Sequence, residues 1–79
     1  MHLKDFLKSL KKEQREDFAL RCRTSHGQLQ QVALGNRRAG ESLAIDIERE
    51  SHGIVRCEDL RPDVDWAYIR SSGNAVDAA

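Results

Sequence analysis

Residues 15–34 constrain the fold of this chain more than any other stretch. Their apolar residues fall into two sets, Phe18, Ala19 and Cys22 in the first and Leu29 and Val32 in the second, with the polar run Arg23-Thr24-Ser25 between them. Spacings of three and four within a set are helical. Two helices that cross steeply need a small side chain where their backbones approach, and Ala19 supplies it. The second helix needs apolar residues turned back onto the first, and Leu29 and Val32 stand at that spacing. Together they make the pattern of a helix-turn-helix, which leaves one side of the second helix bare.

Helical signals continue on both sides. Leu3, Phe6, Leu7 and Leu10 recur at i, i+3, i+4 and i+7, which predicts a first helix with a break near Ser9–Lys12. The second helix runs from about Lys12 to Cys22, with Glu13, Glu16 and Asp17 in its early turns, where the helix dipole favours acids. Ser25 and Gln28 form a capping box that opens the third helix, with Leu29, Val32 and Ala33 inward. Gly35 ends it in a left-handed conformation. A loop, 36–40, leads to a fourth helix from about Glu41 to Ser51, with Leu43, Ala44 and Ile47 on one face and Gly53 as its stop. Ile54-Val55-Arg56 reads as extended, so a short strand near 54–57 is an alternative there. Glu58-Asp59-Leu60 predicts one helical turn before Pro62, and Val64, Trp66 and Ile69 are apolar anchors beyond it. The expected fold is all-α, a small four- to five-helix bundle in one domain over residues 1–70. The small, polar residues 71–79 predict a flexible tail.

Composition excludes several classes. A core built from 79 residues contributes only about 3–5 kcal/mol without staples, and dimerisation is a common remedy. No apolar run approaches the ~18 residues of a membrane span. Lys4, Asp5 and Lys8 interrupt the first apolar stretch, which is therefore no secretion signal, and a cytoplasmic location follows. Two cysteines, Cys22 and Cys57, make no disulfide framework, and Cys22 falls on the apolar face with Phe18 and Ala19. His2, His26 and His52 have no metal-ligand spacing relative to the cysteines, so no metal or other cofactor is expected. No carboxylate pair, Cys–His arrangement or Gly-rich phosphate loop stands on a recognisable framework, so the chain reads as no enzyme.

The net charge of zero hides an asymmetry. Residues 1–40 carry nine cations against four acids, and residues 41–79 carry four against nine. A basic half suits phosphate contact, while an acidic half belongs away from a polyanion. On the bare side of the third helix stand Ser25, His26, Gln30 and Gln31, all able to reach base edges. A glutamine amide bonds adenine at N6 and N7 together, which suits Gln30 and Gln31. His26 donates to a guanine acceptor or to phosphate, and Ser25 reaches a base or a phosphate. Leu34 either touches a thymine methyl or covers the edge of the core. Phosphate contacts are assigned to Thr24, Asn36, Arg37 and Arg38 around the helix, and to Lys12 and Arg15 near the start of the second helix.

Further matching pieces are Leu3-Lys4-Asp5-Phe6-Leu7, Arg21-Cys22 with Thr24-Ser25, Gly35-Asn36-Arg37-Arg38, and Ile45-Asp46-Ile47-Glu48-Arg49. Gly53, the run Glu58-Asp59-Leu60-Arg61-Pro62-Asp63 and Trp66 follow. With them the chain resembles the Cro-type regulators of prophages, in particular their YdaS-like branch, over most of residues 2–66. That resemblance implies a lambda-repressor-like fold and a bacterial, nucleoid-associated repressor that binds double-stranded DNA at a palindromic operator as a homodimer. Some members are antitoxins beside a toxin partner, which is the alternative role. Ile54–Cys57 and Val64–Ile69 are the candidate dimer segments. Two departures stand out: Arg23 occupies a turn position that relatives often fill with glycine, and Gly40-Glu41-Ser42 stands where relatives tend to open the fourth helix with proline.

Overall fold

The apolar stripe at the start of the chain forms α1 (Leu3–Lys8), which buries Leu3, Phe6 and Leu7. The Ser9 hydroxyl donates to the Phe6 carbonyl at 2.6 Å and helps close the helix. After the expected break comes α2 (Lys12–Arg21), where Gln14 Oε1 accepts from the Lys11 backbone N–H at 2.8 Å. An Asp17–Arg21 pair at 2.7 Å braces its exposed face at i,i+4. Phe18 meets Phe6 of α1 with ring centroids 5.1 Å apart and planes tilted by 60°, a favourable aromatic geometry. The structure, a computed structural model, describes residues 1–69; Arg70 and the expected tail at 71–79 lie outside them.

The turn after α2 closes in a Schellman arrangement. Arg23 N–H bonds the Leu20 carbonyl and Thr24 N–H bonds that of Ala19, both at 3.0 Å. Arg23 takes the left-handed residue of this motif, at φ 61°. Next, α3 (His26–Ala33) starts with Ser25 Oγ accepting from Gln28 N–H at 3.1 Å. The reciprocal half of the expected capping box is replaced, because Gln28 Oε1 accepts from Arg37 at 2.9 Å. Gly35 closes α3 at φ 82°, as expected.

The fourth helix, α4 (Glu41–Glu50), buries Ala44, Asp46 and Ile47. Its left-handed closing residue is His52, at φ 55°, one position before the expected Gly53, which follows at φ 81°. The bonds His52 N–H to Arg49 O (3.1 Å) and Gly53 N–H to Glu48 O (2.8 Å) define that closure. Histidine is among the residues enriched in this conformation.

No strand forms at 54–57. Val55 is fully buried, and its N–H donates to Ser51 Oγ at 3.0 Å. One serine hydroxyl thus does what a partner strand would have done, and Cys57 already opens α5 (Cys57–Leu60). The first turn of α5 is held from outside, since Cys57 N–H donates to Glu48 Oε1 of α4 at 3.0 Å. Residues 66–69 are helical again.

The described residues are therefore all-helical, with two joined cores. The larger unites Leu3, Phe6, Leu7, Phe18, Ala19, Cys22, Leu29, Ile47 and Val55; the smaller unites Ala44, Cys57 and Trp66. Trp66 Nε1 donates to the Arg61 carbonyl at 2.8 Å. Arg61 itself donates to the Ala39 carbonyl at 2.8 Å and ties the loop before α4 to the turn after α5. Within the two candidate dimer segments, Val55, Cys57 and Trp66 are core residues of the single chain, while Ile54, Tyr68 and Ile69 are exposed. The helix α3 packs on α1 and α2, while α4 packs on α2 and α5.

Candidate nucleic-acid interface

Leu29 decides which way α3 faces. It is fully buried, with Val32 and Ala33 half-buried beside it. At about 100° of turn per residue, Gly27, Gln31 and Leu34 then point away from the core, and all three are exposed. His26 and Gln30 fall on one flank and Gln28 on the other. The helix-turn-helix thus presents polar side chains along most of its second helix.

Each flank has its own wall. On one side His26, Gln30, Ala33 and Leu34 face Lys4, Leu7 and Lys8 of α1 and Arg15 of α2 across a cleft of about 330 Å³. On the other, Arg37 is drawn back onto Gln28, and Asn36 Nδ2 donates to Gln31 Oε1 at 3.0 Å. Arg38 projects with its side chain 73% exposed, its guanidinium 3.9 Å from Asp63.

The structure therefore brings His26, Gln30 and Arg15 together, and Gln31, Asn36 and Arg37 together. Ser25 is exposed but already used as the cap of α3. Thr24 is half-buried and lines a separate hollow with Cys22, Arg23, Ser42, Leu43 and Asp46. Lys12 is exposed at the first position of α2 and does not line the cleft beside α3.

Two features escape a sequence reading. The first is the Arg23–Asp46 lock. Arg23 Nε and one terminal nitrogen donate to the Asp46 carboxylate at 3.0–3.3 Å, and Arg49 adds a third donor group at 2.7 Å. Asp46 is only 3% exposed. Hydrogen bonding from Arg23 holds its carboxyl below the ordinary carboxylate range, against the opposing effect of burial. The turn of the motif is thereby tied to α4. An aspartate among the inward residues Ala44 and Ile47 was the available signal. The second feature is the placement of Lys4 and Lys8, which a stripe analysis assigns only to the outer side of α1.

The charges sort by location. Arg21, Arg23, Arg38, Arg49, Arg56 and Arg61 each reach a carboxylate within 4 Å. Among the described residues, Lys4, Lys8, Lys11, Lys12, Arg15 and Arg37 form no ion pair. Cys22 offers no counter-chemistry: burial first, then Asp46 and Glu50, push its thiol up to about 12. Among the described residues, no group of His, Cys, Asp and Glu is placed to hold a metal ion, and no helix is long and apolar enough to cross a membrane.

No family model matches the chain. Over 26 residues, 33% of this chain, it is 62% identical to the Escherichia coli (strain K12) protein named "Putative transcriptional regulator YdaS". The match spans about a quarter of that relative's length, 26%. On that segment the chain is similar to that regulator.

Proposed function

We propose that the protein is a transcriptional regulator that binds double-stranded DNA site-specifically through α3 and represses by occupying its operator. One observation carries this reading: α3 is anchored by Leu29 alone among its fully buried residues, and its outward side is polar, exposed and bordered by Lys4, Lys8, Arg15 and Arg37, which have no carboxylate partner among the described residues. An α-helix so presented fits the major groove, where each base pair shows a distinct donor and acceptor pattern. The YdaS-like segment supports the regulatory role. No step of bond chemistry is involved.

In this reading Gln31, at the apex of α3, reads a base. Its carbonyl oxygen is held by Asn36 in the free protein. Bidentate contact with adenine uses that oxygen as acceptor and the Gln31 amide N–H as donor, and Asn36 contacts a phosphate. His26 and Gln30 read or brace one side of the groove, and Ser25 and Thr24 lie near the helix start. Arg37, Arg38, Lys12 and Arg15 contact phosphates. A homodimer on a palindromic site would set two copies of α3 about 34 Å apart.

The test is titration of the protein against the intergenic DNA beside its own gene, at several salt concentrations. Selective binding with a two-fold footprint is expected. Gln31→Ala should cost about 1–3 kcal/mol and relax selectivity at one base pair. Weak, unselective binding by the unaltered protein would overturn the reading and turn attention to a protein partner such as a toxin.

A further inference from the structure

The cleft between α1 and α3 has a composition that the fold does not need. Lys4 and Lys8 stand at i,i+4 on α1, the spacing at which like charges repel, and both line the cleft with Arg15 of α2 opposite. Neither lysine has a carboxylate partner among the described residues. Asp17, two residues beyond Arg15, is already engaged by Arg21. Arg15 Nε is a buried donor with no hydrogen-bond partner, and such a group carries a desolvation cost until an acceptor reaches it. The remaining lining is His26 and Gln30, which can donate, over a floor of Leu7, Ala33 and Leu34. Among the described residues, no carboxylate lines the cleft.

We propose that Lys4, Lys8 and Arg15 form a seat for one backbone phosphate of DNA, which makes α1 part of the nucleic-acid interface. The proposal rests on the DNA-binding reading above and adds to it a contact from outside the helix-turn-helix. A phosphodiester carries one charge and two free oxygens. The Arg15 side chain brings a guanidinium to the cleft wall, and the lysines supply mobile point charges that follow the strand. Such a contact positions α3 without reading sequence. The cleft shares the His26–Gln30 flank of α3, so a strand seated there runs alongside the groove that Gln31 enters.

The experiment compares the unaltered protein with the double variant Lys4→Gln/Lys8→Gln, using operator and unrelated DNA across a salt series. The variant is expected to weaken both complexes by the same factor and to lower the salt slope by about one. Arg56→Gln, outside the cleft beside α3, should keep the slope. Fold is checked by the thermal midpoint of each variant. In the unaltered protein, the Arg15 Nε–H resonance should shift on addition of DNA, a readout that needs no substitution. A slope equal to that of the unaltered protein, a loss confined to the operator, or an Arg15 signal moved by inorganic phosphate but not by DNA would overturn the seat. If the unaltered protein binds no DNA, the wider reading fails together with it.

Discussion

The α1–α3 side and the α4–α5 side of this molecule use the same kinds of charged residue in opposite ways. Around α4 and α5, arginines are spent on the fold. Arg49 and Arg23 converge on buried Asp46, and Arg61 spans Ala39 and Asp63. Around α1 and α3, Lys4, Lys8, Arg15 and Arg37 are held without carboxylates among the described residues. Charge in the first region does structural work between elements distant in sequence. Charge in the second is left to be neutralised by something else. The +5 and −5 halves of the sequence match this division only loosely, because Arg21, Arg23 and Arg38 belong to the basic half and are paired.

Substitution at Asp46 is the strongest way to break the contrast. Asp46→Ala should cost about 2 kcal/mol in urea unfolding, since it removes a buried acceptor of charged donors. The loss stays below that of a fully buried pair because the side chains of Arg23 and Arg49 are 72% and 57% exposed. The pH dependence has a defined sign. Asp46 titrates lower in the folded than in the unfolded chain, so its contribution is present above about pH 4 and fades as pH falls through the folded value. The variant should show a flatter acid limb. An unaltered limb would remove Asp46 from the account.

The turn itself sharpens the comparison. Arg23 holds a left-handed backbone at φ 61°, which costs a non-glycine residue about 1 kcal/mol, and its side chain repays this through Asp46. Arg23→Ala keeps the strain and loses the bonds; Arg23→Gly loses both. The glycine variant should therefore be the more stable of the two by about 1 kcal/mol, read from thermal midpoints. Equal midpoints would mean that the strain is negligible.

The smallest effect belongs to the free cations. Lys4→Gln or Lys8→Gln alone should change stability by less than about 0.5 kcal/mol, and relief of repulsion favours a slight gain. A loss as large as that of Asp46→Ala would show that these lysines are spent on the fold after all.

The local pattern carried most of the architecture. Period and caps placed α1 through α5 to within a residue or two, because Leu3, Phe6 and Leu7, or Ala44 and Ile47, face inward by helical geometry alone. Gly35 closes α3 where its lack of a side chain predicts. The outward position of Gln31 was legible for the same reason: once Leu29 is inside, the far side of α3 follows, with Gln30 on its flank. His26 shares that flank with Gln30. What failed was the reading of two apolar segments whose groups found partners inside the single chain. The extended look of 54–57 gave way when Ser51 satisfied Val55, and the apolar excess at Trp66 was consumed by Ala44 and Cys57.

The sequence by itself thus determined where the helices run and which side of α3 is bare, since both depend on intervals of three and four residues. Tertiary structure alone decided which charges are paired, because an ion pair such as Arg23–Asp46 joins residues 23 positions apart that no periodicity relates. It also decided that Lys4, Lys8 and Arg15 meet beside α3, since only the packing of α1 on α3 brings them to one cleft.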